Sequence, residues 1–194
     1  EQLTSFLREA KDSGVFALYY IDLTTGLRRG EICGLMWTDF DAEKGTLTVR
    51  RTLHNKEGGG YYVGETKTGA GRRIIKLPPS TMQLLSERKR TSISRWIFPN
   101  PIHPEDPIMP NSGYTRMKKL LAEAGLPDMR FHDLRHTFAT HALTSGVDAK
   151  TLSGILGHTK TSFTLDTYTH VTGDMHRKAS GIVGEFMSDF VVKG

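Results

Sequence analysis

Apolar residues recur at helical spacing over most of this chain and alternate at strand spacing in one central region. Leu3, Phe6, Leu7 and Ala10 predict a first amphipathic helix. Gly14 breaks it, and Val15 to Leu23 form a mostly apolar helix that Thr24-Thr25-Gly26 ends. Leu27, Ile32, Leu35 and Met36 anchor a short helical turn beyond. The period then changes. Leu47, Val49, Arg51 and Leu53 alternate with Thr48, Arg50 and Thr52, as in a strand with one face inward. Tyr61-Tyr62-Val63 and Arg72 to Leu77 continue the pattern on either side of a Thr66–Gly71 turn. The expected fold class is α+β, mainly α-helical, with a small antiparallel three-stranded sheet.

Helical spacing then returns. Ser80 reads as the cap of a helix reaching about Thr91, and Asn111 or Ser112 as the cap of one reaching Ala124. Phe131, Leu134, Phe138 and Ala142 mark a central helix. Asp148 caps Ala149–Leu156, Gly157 ends it, and Thr161 to Tyr168 is helical. Ile182, Val183, Phe186, Met187, Phe190 and Val191 form an apolar stripe in the tail, suited to packing on this domain or on a neighbouring molecule.

The chain has 194 residues, 37% hydrophobic and 24% charged, which is the make-up of a globular domain with a substantial core. No apolar run reaches membrane-spanning length, so no membrane partner is expected. Cys33, the single cysteine, excludes an intrachain disulfide, fits a reducing compartment, and sits in the apolar Ile32-Cys33-Gly34-Leu35 as an inert buried thiol. A net charge of +5 supports nucleic-acid binding only weakly; the placement of the cations is more telling.

On the central helix, His132 and Arg135 lie three apart and converge on one point, suiting a phosphodiester. His132 and His136 have the spacing of helical metal ligands, but the glutamate of that pattern is missing. Arg28 and Glu31 are also three apart: either a solvated pair, or an arginine at a pocket edge buttressed by Glu31. Lys67 lies in a turn, with Arg72 and Arg73 close behind. Arg116, Lys118 and Lys119 make a basic stripe suited to a phosphate backbone, which a plain solvated face explains about as well. His158 follows a helix end, and Tyr168 lies ten residues further on.

Five motifs occur in order: Thr-Gly-Leu-Arg-Arg-Gly-Glu at 25–31, Thr-Lys-Thr-Gly at 66–69, His-Asp-Leu-Arg-His-Thr at 132–137, Leu-Gly-His at 156–158 and Thr-Tyr-Thr-His-Val at 167–171. The ordered set resembles the catalytic domain of the tyrosine recombinases, the phage integrase family, and most resembles integrases of temperate phages and conjugative transposons. The resemblance implies that fold over residues 1–172, with 173–194 as a helical tail exchanged between protomers. It also implies N-terminal DNA-binding domains outside these residues, a homotetramer on double-stranded DNA, and a cytoplasmic setting in a bacterium or mobile element. Site-specific recombination through a 3′-phosphotyrosine would need no cofactor and no metal.

Arg28 and Arg135 would then bracket the scissile phosphate and His158 hydrogen-bond it. Lys67 would protonate the leaving oxygen, and Tyr168 would attack with His132 taking its proton. Glu31 and His136 would stand behind these, Glu31 orienting a catalytic side chain and His136 packing on the helix or lying at the surface. Arg72, Arg73, Arg116, Lys118 and Lys119 would contact DNA. Two rivals remain: a type IB topoisomerase with the same chemistry, and a non-catalytic DNA-binding or metal-binding module.

Overall fold

Eight α-helices and two small antiparallel sheets are formed by the described residues of the computed structural model, which are 2–65, 71–168 and 180–181. Helices α1 (Gln2–Asp12), α2 (Phe16–Thr25) and α3 (Arg29–Cys33) come first. A 3-10 turn at Trp37–Asp39 leads into β1 (Phe40–Asp41), β2 (Thr46–Val49), β3 (Arg51–Asn55), β4 (Tyr61–Glu65) and β5 (Arg73–Lys76). Helices α4 (Pro79–Thr91), α5 (Pro110–Glu123), α6 (Phe131–Thr144), α7 (Ala149–Leu156) and α8 (Thr161–Thr167) complete the order.

The alternating run expected over 46–53 is two strands of different sheets. β1, β2 and β5 form a three-stranded antiparallel sheet, but its third member is Phe40–Asp41 and not the expected 61–63, which falls in β4 and pairs with β3 in a separate hairpin. The break falls at Arg50. Arg51 lies just beyond it, and its guanidinium donates to Gly34 O at 3.0 Å and to the Asp39 carboxylate at 2.5 and 3.2 Å. That pairing ties the hairpin to the turn before the first sheet.

Proline geometry sets two helix starts that side-chain caps were expected to set. α4 begins at Pro79 and α5 at Pro110, where a missing N–H costs nothing because it would be unpaired anyway. Ser80 accepts from the Tyr20 hydroxyl instead, and Asn111 accepts from Asn55. The Asp148 cap is as expected: its carboxylate accepts from the N–H groups of Lys150 and Thr151.

The main core runs from Phe6 through α2, the sheet and α5 to Leu134 on α6. A smaller core is separate from it and comprises Ala139, Leu143, Leu152, Leu156 and Tyr168. α6 is the bridge. Its first turn is buried in one core and its last turns in the other. Gly26, at φ 62°, closes α2 where any Cβ would lie 2.4 Å from the Phe138 ring. Glycine is required there both by the left-handed backbone and by the approach of α6.

Candidate active site

Arg135 is 2% exposed, an unusual depth for an arginine. From the middle of α6 it donates to the Gly26 carbonyl at 2.6 Å, to the Leu156 carbonyl at 2.8 Å and to His158 Nε2 at 2.9 Å. Both carbonyls are at helix ends, where backbone acceptors lack partners within their own helix. One side chain therefore joins the ends of α2 and α7. Burial, then the charge of Arg28, push the Arg135 pKa down to about 10, which still leaves it cationic at neutral pH.

Arg28 precedes α3 and faces the same point. It donates to Glu31 Oε1 at 2.9 Å and to the Gly157 carbonyl at 3.0 Å, with 42% of its side chain exposed. Glu31 accepts the Arg28 backbone N–H at 2.8 Å. It also takes a two-pronged pair from Arg73, at 3.0 and 2.8 Å. Burial alone would raise the Glu31 pKa, but the hydrogen bonds and charge of Arg73, joined by Arg28, bring it below the usual value. Glu31 is thus the expected buttress of Arg28.

Arg73 corrects an expectation. The expected DNA contact does not hold for it: it is buried, paired with Glu31, and donates to the Ile155 carbonyl at 2.5 Å. The sequence carried the signal: Arg73, Ile75 and Leu77 share one parity of β5, and that parity faces inward. A buried guanidinium committed to a carboxylate and a carbonyl has little left for DNA.

His158 sits just after the left-handed Gly157 (φ 66°). Its hydrogen bonds fix its tautomer. Arginine can only donate, so Nε2 accepts from Arg135, and the proton is on Nδ1, which donates to Thr164 Oγ1 at 2.7 Å. Burial, then the charges of Arg135, Arg28 and Arg73, push its pKa down to about 4. His158 is therefore neutral while the site is empty. Together Arg28, Gly157, His158, Lys160 and Phe163 line an open cleft of about 410 Å³.

Tyr168 closes the smaller core at 4% exposure, and its hydroxyl lies 2.8 Å from His136 Nδ1. Burial raises the Tyr168 pKa against the lowering pull of Arg135. The hydroxyl is thus protonated and donates to His136, whose own pKa is lowered by burial. His136 touches the tyrosine directly, not as helix packing or bare surface. His132, expected as its partner, is exposed and stacks edge-on against His136 with ring centroids 4.6 Å apart.

Arg72 is exposed at the start of β5. On α5, Arg116 is exposed, Lys118 pairs with Asp128, and Lys119 lies 3.7 Å from Glu123. This stripe is thus a partly self-neutralised face. Lys67, His170, the 182–191 apolar stripe and nearly all of the 173–194 tail lie outside the described residues. Cys33 is buried with its pKa pushed up to about 12 by burial, as expected of an inert thiol. Two polar groups escaped sequence reasoning. Thr164 holds His158. Asp22 is a fully buried acid within the apolar run from Val15 to Leu23, which was its one visible mark.

Among known proteins, the model of the phage integrase family matches residues 1–174. A tyrosine recombinase XerC-like protein of Caldanaerobacter subterraneus subsp. tengcongensis is 31% identical over 88% of this chain and 49% of its own length. The transposase of transposon Tn916 from Enterococcus faecalis is 29% identical over 90% of this chain and 47% of its own. The chain thus spans about half the length of these curated relatives. Among solved structures, the Tn1549 transposon integrase in complex with transposon right end DNA superposes with a TM-score of 0.83 at 26% identity. That match covers 94% of this chain and 64% of the integrase chain. The XerA recombinase, at 21% identity and a TM-score of 0.72, shares the fold.

Proposed function

The chain belongs to the phage integrase family, and from that membership we propose that it is the catalytic part of a site-specific DNA recombinase. The single observation that carries this is the cluster of Arg28 and His158 on one cleft with Arg135 bonded to His158 behind it, and Tyr168 held on His136 of the same helix. Two guanidiniums on one phosphate neutralise its non-bridging oxygens and stabilise the charge that grows in the transition state. Their prebuilt geometry means little rearrangement of these groups during reaction.

Tyr168 Oη attacks the scissile phosphorus. An Oη–P bond forms and the P–O5′ bond breaks, leaving a 3′-phosphotyrosine and a free 5′-hydroxyl. The phosphoester is conserved, so a new 5′-hydroxyl can reverse the step and join a different strand. The hydroxyl's present partner supports His136 as first acceptor of the tyrosine proton, with His132 stacked beside it. Lys67, from its motif, supplies the proton to the departing 5′ oxygen. Phosphate binding brings negative charge beside His158 and favours its protonation, turning an acceptor into a donor toward the phosphate.

Double-stranded DNA is the substrate, a reading supported by the transposon right end DNA bound in the Tn1549 integrase structure. Strand exchange between two duplexes calls for four protomers. The 173–194 tail is the segment proposed to link them, in the cytoplasm of a bacterium carrying the element.

The test is a plasmid bearing a pair of the protein's attachment sites, incubated with the complete protein. Recombinant junctions that disappear in Tyr168→Phe are expected. Supercoil relaxation without junctions would overturn the reading in favour of a topoisomerase.

A further inference from the structure

Asp22 is the one buried side chain among the described residues whose polar atoms lack a hydrogen-bond partner. It is 0% exposed, and both carboxyl oxygens are unpaired. A buried acid left unpaired is costly, and such a group in a native fold calls for a reason. It sits in the last turn of α2. Its own carbonyl accepts the Gly26 N–H at 2.8 Å, and the Gly26 carbonyl in turn holds Arg135. The groups that act on it are Arg135 from α6 and Glu31 and Cys33 from α3.

The charge balance around it is uneven. Arg28, Arg73 and Arg135 converge on Glu31 as the carboxylate paired with two of them, so positive charge is in excess. Asp22 is the next acid whose charge reaches Arg135, and it is wholly buried. Resting on the reading of this cleft as a phosphate site, we propose that Asp22 is a positioning residue that acts through Arg135. It is the internal counter-charge, losing a proton as pH rises while the cleft is empty and retaining it while a phosphodiester is bound. Burial raises its pKa well above the carboxylate range, against the pull of Arg135. A phosphodiester supplies the negative charge that an ionised Asp22 would otherwise give Arg135, so the two compete for one cation.

The sign follows. A bound anion raises the Asp22 pKa further, so binding takes up a proton at pH values between the free and bound pKa. Affinity for the phosphodiester is full below the free value and falls as pH rises toward the bound one. One linked proton changes the dissociation constant by about tenfold per pH unit within that interval.

The experiment uses this chain, a short DNA duplex and, separately, inorganic phosphate. The Asp22 carboxyl carbon is followed by NMR against pH, with Asp22→Asn providing the assignment. The expected result is a titration above the ordinary range that moves to higher pH when duplex or phosphate is added. In parallel, duplex affinity is measured from about pH 7 upward, above the ordinary histidine range of about 6.5. Wild type should weaken by up to about tenfold per unit, and Asp22→Asn should lose that slope. An Asp22 signal unmoved by duplex, with His158 signals shifting, overturns the inference and leaves the phosphate site standing. Unmoved His158 and Arg28 signals overturn the phosphate site itself. If Asp22→Asn does not fold, the carboxyl carbon is assigned by through-bond correlation to the Asp22 backbone, and the wild-type titration with and without duplex decides alone.

Discussion

Arg135 and Tyr168 are both nearly buried, at 2% and 4% exposure, yet they are held in unlike ways. Arg135 is cross-braced by the carbonyls of two helix ends and by His158, beside a carboxylate shared between Arg28 and Arg73. Tyr168 is held by a five-residue apolar cluster and one hydrogen bond to His136. Breaking the first region strands several buried polar groups together; releasing the second leaves one. The charged cluster around Arg135 is therefore fixed by many polar bonds, and Tyr168 chiefly by apolar packing.

The largest effect should come from Arg135→Ala. Loss of a preorganised donor costs on the order of a hundredfold or more in cleavage rate. The same variant leaves the Gly26 and Leu156 carbonyls unpaired, at about 1–3 kcal/mol each, so its melting temperature should fall sharply. Arg28→Ala should match the rate loss with a smaller fall in stability, since its side chain is partly in solvent. Equal stability losses would contradict the contrast between the buried Arg135 and the partly exposed Arg28.

Next is Glu31→Ala, which strands the buried Arg73; removing one partner of such a pair costs about 3–5 kcal/mol in denaturant unfolding. The pH dependence has a definite sign. The Glu31 pKa is lowered in the fold, so its contribution is fully present above the unfolded value of about 4.3 and is lost as pH falls through the folded one. Wild type and variant should converge in acid.

Smaller effects on stability belong to Tyr168. Tyr168→Phe removes one hydrogen bond and should cost only about 1 kcal/mol in stability, while leaving duplex binding nearly unchanged. A loss as large as that of Arg135→Ala would break the comparison. Smallest of all, Thr164→Val removes the acceptor for His158 Nδ1–H, with an expected cost of about 0.5–1.5 kcal/mol. In wild type the His158 ring should stay neutral until about pH 4, read by NMR. Its folded pKa lies below its unfolded value of about 6.5, so it disfavours the fold progressively as pH drops between the two.

Local rules carried much of this into the sequence. Asp148 and Gly157 mark α7, Gly26 ends α2, and the apolar spacing of Phe131 and Leu134 fixes the buried face of α6 from which Arg135 reaches inward. Long-range choices were less legible. Periodicity shows that residues 46–53 are extended, but not that Arg50 divides them between two sheets. Cations read as surface by default, and only the parity that Arg73 shares with Ile75 and Leu77 marks it as buried. Residues sharing one helix face also look equivalent in sequence. Only the arrival of α8 decides that His136, rather than His132, meets the tyrosine.

The most direct measurement uses a duplex attachment site nicked beside the cleavage point, so that the short leaving strand diffuses away and trapped product accumulates. The complete protein is added, and the covalent product is resolved on a denaturing gel and its attachment residue identified by peptide mass. A 3′-phosphoryl adduct on Tyr168, absent in Tyr168→Phe, is the predicted result. Tight binding to a verified site with no adduct, or an adduct on another residue, would contradict it.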